Sequence, residues 1–320
     1  GTYKKIIQWV LAVCCLAYIF WFFLKNTQEL TLVFKLNPLT LAALTCFIVL
    51  GHIMYSYRFK IILEKCNGCS IPFWPWFRIV VLSRFLGTFV PQAGNIYRSV
   101  CLKKNYHISY TRYAGSFFSF AWMDTSLNLI CAVGIVLAIK PDLQIANFKA
   151  LNFLTLLTAA IVAIPILLEF IFRLIRFRNR YLSWLHAKLS EMLTVSVSSL
   201  SDGVYMLKIV LTGIIAFINT IAVFYICFIS LDMPVNLPVL ALFYVVLKLS
   251  TQIIITPGNL GVRELAYGIL SEQMHIGMAQ GIVISAIIRI LGTCVIITLG
   301  TLFGGIDLLR HRRDYSKPEE

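Results

Sequence analysis

The chain is written mostly in long apolar runs separated by short polar clusters. A helix rises about 1.5 Å per residue and the hydrocarbon layer is about 30 Å thick, so roughly 20 apolar residues cross it. Runs of that kind predict six crossings, at residues 6–24, 39–57, 116–139, 151–172, 208–230 and 277–304. The first is longer than a signal-peptide core and has no small-residue cleavage site after it, so it is expected to be a retained span. Two further apolar stretches, 72–97 and 238–272, are interrupted by Pro and Gly near membrane depth. Proline removes a backbone donor and glycine permits dihedrals that other residues avoid, so each stretch is expected to stop and restart as a helix. The pattern predicts an all-α polytopic membrane protein with six full transmembrane helices plus two re-entrant broken-helix hairpins.

Composition agrees with that class. With 59% hydrophobic and 13% charged residues, the chain has too little polar side chain to coat a soluble globule. Residues 1–320 read as a single membrane domain, without a linker, low-complexity tract or soluble domain. The net charge of +14 is expected to face anionic lipid headgroups of the bilayer, not nucleic acid. Of nine cysteines, Cys14, Cys15, Cys46, Cys131, Cys227 and Cys294 lie in apolar runs as small hydrophobes, and Cys66 and Cys69 form one C-x-x-C without the second pair that a zinc site needs. No metal and no cofactor are expected.

Basic flanks resist translocation, so the distribution of Lys and Arg orients the chain. With a cytoplasmic N-terminus, the inner segments hold Lys4 and Lys5, then Arg58, Lys60, Lys65 and Arg78, then Arg98, Lys103, Lys104 and Arg112, six more between Arg173 and Lys208, and four after Asp307. Those twenty face only Lys25, Lys35, Lys140 and Lys149 on the outside. The chain is therefore expected in the plasma (inner) membrane with both termini cytoplasmic, residues 307–320 forming a cytoplasmic tail. The count works only if the first broken stretch enters and leaves from the cytoplasm and the second from outside. Residues 1–140 and 150–306 then form pseudo-repeats of opposite sidedness, the inverted repeat used by secondary transporters. A short echo supports it: Leu82-Ser83 precedes a Pro/Gly break and Arg98, and Leu249-Ser250 precedes another and Arg263. The basic and apolar residues of 173–203 fit either an interfacial helix or a plain basic loop.

Four basic residues remain at membrane depth, Arg84, Lys248, Arg263 and Arg289, with Asp124, Glu169, Glu264 and Glu272 as acidic counterparts. A charge at the bilayer centre costs about 2.5 to 3.5 kcal/mol on insertion scales, so each must meet a partner or a wet cavity. Arg98 ends the first break and Arg263 with Glu264 ends the second. A helix restarting there presents unpaired amide donors that attract phosphate, and Arg adds a planar donor pair for the same group. Arg98, Arg263 and Arg289 are thus candidate phosphate ligands, while Asp124 and Glu264 would hold the arginines apart or compete with the lipid for them. Asp124 reads equally as a structural ion pair or as a proton or headgroup site. Lys248 and Arg84 are candidates that could instead snorkel to an interface. Asn95 and Asn259 are candidates that could simply satisfy turn backbones. There is no H-E-x-x-H, Walker loop, G-x-S-x-G or aspartate-rich diphosphate motif, so an enzyme is not expected.

Val90-Pro91-Gln92-Ala93-Gly94-Asn95-Ile96-Tyr97-Arg98, then Asp124, then Thr256-Pro257-Gly258-Asn259-Leu260-Gly261-Val262-Arg263-Glu264 resemble the signature stretches of the lysylphosphatidylglycerol synthase transmembrane-region family. That family includes the flippase domain of the bacterial multiple peptide resistance factor and stand-alone membrane proteins. The resemblance implies a flippase or lipid transporter whose substrate is a membrane lipid. It departs at Asn95, where the family usually has an acidic residue, and this weakens the expectation of a cationic lysyl headgroup. No aminoacyl-transferase domain follows, so the chain is expected to move a lipid made elsewhere. The alternatives are an integral membrane enzyme acting on a polyprenyl-phosphate or phospholipid, and a non-transporting partner of a lipid-modifying enzyme. Such an enzyme partner and a homo-oligomer are both compatible with the transporter reading.

Overall fold

The computed structural model describes residues 37–315 except 91, 146–147, 175–201, 234–235, 253–255 and 257–258. The expected span at 6–24, the basic segment after residue 174, Pro91, Pro257 and Gly258 lie outside the described residues. In chain order the elements are α1 (Pro38–Asn67), α2 (Phe73–Phe89), α3 (Ala93–Tyr106), α4 (Tyr110–Ile139), β1 (Gln144–Ile145), β2 (Phe148–Lys149), α5 (Ala150–Leu174), α6 (Gly203–Ser230), α7 (Leu237–Gln252), α8 (Val262–Gln273) and α9 (Met278–Tyr315). The two strands form a small antiparallel hairpin between α4 and α5.

Pro38–Asn67, Tyr110–Ile139, Gly203–Ser230 and Met278–Gly304 are long and apolar enough to cross a membrane, and Ala150–Pro165 and Leu237–Ser250 are shorter apolar helices. The protein is an all-α membrane protein. Outward-facing Leu156, Phe170, Leu207 and Ile218 are exposed, as suits a surface solvated by lipid. Helix starts are set locally. Asn37 accepts from the Thr40 amide ahead of Pro38, Ser109 accepts from the Arg112 amide, and Asp202 accepts from the Tyr205 amide.

Both broken stretches are pairs of helices folded back on themselves. Between α2 and α3 the chain turns within three residues, with Gln92 in the left-handed region at φ 67°. α3 then runs back along α2 so closely that a Cβ on Gly94 would lie 2.1 Å from the Ser83 carbonyl oxygen, which only glycine can satisfy. Arg98 locks the return by donating from Nε (3.1 Å) and Nη2 (2.6 Å) to Ser83 Oγ. In the second stretch Asn259 takes φ 50°, a conformation Asn tolerates, and its side-chain amide donates to the Ser250 carbonyl. The Phe243 and Tyr267 rings pack at 5.3 Å between α7 and α8. α8 starts with Glu264 accepting from the Gly261 amide at 2.9 Å.

The loops sort into two ends. At one, Lys65 in the last turn of α1 pairs with Asp202 before α6 at 2.5 Å, and Asn67 donates to Ser116 at 3.0 Å. The Lys65 hydrogen bond and the Tyr205 amide hold the Asp202 carboxyl below the usual carboxylate range. At the other, Lys140, Asp142, Gln144, Asn236, Gln273 and His275, with Leu143, Val239, Met274 and Ile276, surround a cavity of about 320 Å³. One point of the charge count changes. Arg58 and Arg98, counted with the cytoplasmic flanks, are buried inside the bundle at 3% and 4% exposure. Both helices extend past the apolar run that marked their ends, and the arginines find partners within; the basic excess survives their removal.

Candidate functional site

A cavity of about 420 Å³ lies among α1, α2, α4, α6, α7 and α9. Helices from both sides of residue 140 contribute. On α1, His52, Tyr55 and Arg58 recur every three residues and so share one face. On α4, Phe117, Phe120, Ala121 and Asp124 do the same, and α6 adds Ala216, Asn219, Thr220 and Val223. α2 supplies Arg84, α7 supplies Tyr244 and Lys248, and α9 supplies Ile288.

Asp124 is the hub. Its Oδ1 pairs with Arg58 Nη1 and its Oδ2 with Lys248 Nζ, joining α4 to α1 and to α7. Asn128, one turn on, donates to the same carboxylate at 3.3 Å. Two cations on one buried carboxylate leave a positive surplus, which Arg84 enlarges. Arg58 Nε and Nη2 are buried without a hydrogen-bond partner. Room for that guanidinium comes from Gly213 on α6, where a Cβ would lie 3.0 Å from Arg58 Nη2 and 2.0 Å from Leu127 Cδ2.

An aromatic wall carries the remaining cations. Tyr55 meets Phe120 edge-on at 4.9 Å and Phe59 stacks on Phe120 at 4.9 Å. Arg84 lies 3.9 Å above Tyr55, Arg98 5.4 Å from Phe59 and Arg58 5.9 Å from Phe120. Ring faces are negative, so three guanidiniums share one stabilising surface, which for Arg58 adds to its pairing with Asp124. Arg84 also contacts His52 Nδ1.

The residues singled out from sequence fall into two groups. Asp124, Lys248 and Arg84 line the cavity, and Arg98 sits behind its aromatic wall, bound to Ser83. Lys248 and Arg84 do not snorkel outward, because inward positions give them a carboxylate and a ring face. Asp124 takes Arg58, not Arg98, as its arginine partner. Arg263, Glu264, Arg289 and Asn259 form a separate cluster at the start of α8. Arg289 pairs with Glu264 at 2.6 Å and donates to the Asn259 carbonyl at 3.0 Å, and Arg263 donates to the Ser285 carbonyl at 3.2 Å. The three expected phosphate ligands Arg98, Arg263 and Arg289 are therefore absent from the lining of the cavity. Asn95 is exposed, and its amide donates to Gln92 at 3.1 Å, the turn role. Arg58, which pairs with Asp124 in the cavity, was missed because the apolar count ended its span one residue earlier. The three-residue spacing of His52, Tyr55 and Arg58 is the signal that finds it. Among the described residues no three His, Cys, Asp or Glu side chains group as a metal site.

No curated protein and no solved structure matches the chain significantly. The family model for the lysylphosphatidylglycerol synthase TM region matches residues 6–300, spanning every element that builds the cavity, and the chain belongs to that family.

Proposed function

We propose that the protein is a lipid flippase or transporter that carries a polar, phosphate-bearing headgroup across the bacterial inner membrane while the acyl or prenyl tails stay in the bilayer. The observation that carries this reading is the cavity of about 420 Å³ in which Arg58, Arg84 and Lys248 face a single carboxylate, Asp124. Ligand sites commonly enclose about 300 to 1,000 Å³, so a headgroup fits. Cations held in a low-dielectric bundle are costly unless an anion joins them, and a phosphate supplies that charge with acceptors for the unpaired Arg58 nitrogens. Asp124 balances part of this charge, and an entering phosphate competes with it for Arg58 and Lys248.

The fuller arrangement belongs to the same proposal. Six complete crossings and two re-entrant hairpins form an inverted repeat, with α2–α3 entered from the cytoplasm and α7–α8 from outside. The folded-back geometry of both hairpins and the sorting of loops to two ends support it. The cavity between the two halves then opens to alternate sides as they rock. Both termini lie in the cytoplasm. The protein works as a transporter and not as an enzyme, without a cofactor.

Reconstitution tests this directly. Vesicles containing the full chain and a fluorescent phospholipid are treated with a membrane-impermeant quencher, and protein-dependent loss of the protected inner-leaflet signal is expected. Arg58→Gln should slow it by about 10-fold or more, as loss of a hydrogen bond to a charged group worth about 1.5 to 3 kcal/mol implies. Mass spectrometry should recover the lipid unchanged. Vesicles that never lose protection rule out transport, and covalently altered lipid replaces it with a transferase or hydrolase.

A further inference from the structure

We infer that the cavity selects headgroups of net negative charge and excludes headgroups of net positive charge, so that its lipid carries a phosphate without a compensating amine. This rests on the transport reading above and narrows its substrate class.

The charges that face the cavity are three cations, Arg58, Arg84 and Lys248, against one carboxylate, Asp124. That carboxylate is already divided. Oδ1 serves Arg58 and Asn128, and Oδ2 serves Lys248. Among the described residues no lining carboxylate is left to receive an ammonium group. Donors, by contrast, are in excess: among the described residues Arg58 Nε and Nη2 are buried without acceptors. Glu264, the other buried carboxylate of the candidate set, is held by Arg289 and by the Gly261 amide and does not line the cavity. An anionic phosphate therefore meets waiting donors and lowers the surplus charge. An aminoacylated headgroup brings a further cation into a site already short of anions, where like charges repel far more than in water. Specificity is a difference of affinities, so rejection by unmatched charge adds to whatever contacts the favoured ligand gains.

The test uses the full chain in vesicles with three fluorescent lipids of identical tails: phosphatidylglycerol (anionic), phosphatidylcholine (zwitterionic) and lysyl-phosphatidylglycerol (cationic). Phosphatidylglycerol should move at least ~10-fold faster than the lysyl lipid, with phosphatidylcholine between them, as their difference of about two net charges at an effective dielectric near 20 implies. Lys248→Glu cancels the surplus and should bring the three rates to within about threefold of one another. Lysyl lipid that moves as fast as phosphatidylglycerol overturns the charge preference and leaves transport standing, whereas no movement of any of the three overturns both. Should Lys248→Glu not fold, competition among the three lipids for the unmodified protein, read by native mass spectrometry, makes the same comparison: preferential retention of phosphatidylglycerol supports the inference and equal retention sinks it. Glycerol phosphate separates lipid from soluble anion. It should compete only weakly, and competition as effective as the lipid's own would reassign the site to a soluble organophosphate.

Discussion

Asp124 is the residue on which the interior depends. It is 4% exposed, and two basic side chains from two other helices end on it. A buried ion pair stabilises weakly against an apolar replacement, but deleting one member strands the other and costs about 3 to 5 kcal/mol. Asp124→Ala would strand two. Its melting temperature in detergent should therefore fall well below that of wild type, and co-substitution of Arg58 and Lys248 by Met should restore most of the loss. Unchanged melting of the single variant would mean that water or lipid already neutralises the cluster. Arg98 differs in kind. Its donors end on Ser83 and its charge on the Phe59 face, so it ties a hairpin together and reaches the cavity only through the rings.

At the scale of elements, the two hairpins do by different means what a continuous helix cannot. α2 and α3 are joined by a three-residue turn and held by backbone proximity, with Gly94 pressed on the Ser83 carbonyl. Gly94→Ala should open this hairpin and destabilise the protein by about 1 to 3 kcal/mol, since backbone on the far side has nowhere to move. Gly87→Ala in the same hairpin, with nothing within 4 Å of the new Cβ, should be neutral or stabilising by up to about 1 kcal/mol. Thermal melting of the pair checks the contrast, and equal effects would show that the close approach is not what holds the turn. α7 and α8 use side chains instead, through Asn259, Glu264 and Arg289. That cluster, with Arg263 beside it, builds the restart of α8, which accounts for four charged or polar residues at depth without any of them lining the cavity.

Taken whole, the molecule sorts its connections to two ends. Lys65 and Asp202 meet at one, and Lys140, Asp142 and His275 gather at the other. If the bundle spans the bilayer, cysteines placed at Ser109 and at Lys149 in a cysteine-free background should be labelled by an impermeant maleimide from opposite faces of oriented vesicles, Ser109 from the cytoplasmic one. Labelling of both from one face would undo the inverted arrangement. Long apolar runs made the helices legible, because crossing hydrocarbon demands length and leaves few charges to hide the count. Both hairpin breaks were legible as well, since Pro and Gly act on the backbone locally. Which buried charges would meet was not legible. Arg98, Arg263 and Arg289 look alike by position, yet Ser83 holds Arg98 within its own hairpin, while Ser285 and Glu264 hold Arg263 and Arg289 across the contact of α8 with α9. Arg58 looked like a flanking charge until α1 was seen to continue to Asn67.

Periodicity and composition by themselves determined a membrane-embedded helical chain, and the two motif stretches around Arg98 and Arg263 its family. The tertiary structure alone decided which charges share a cavity, because Arg58, Arg84, Asp124 and Lys248 come from four helices whose rotations about their axes are set by packing. A one-dimensional pattern records that a charge is buried. Only the relative placement of helices fixes the partner that makes its burial tolerable.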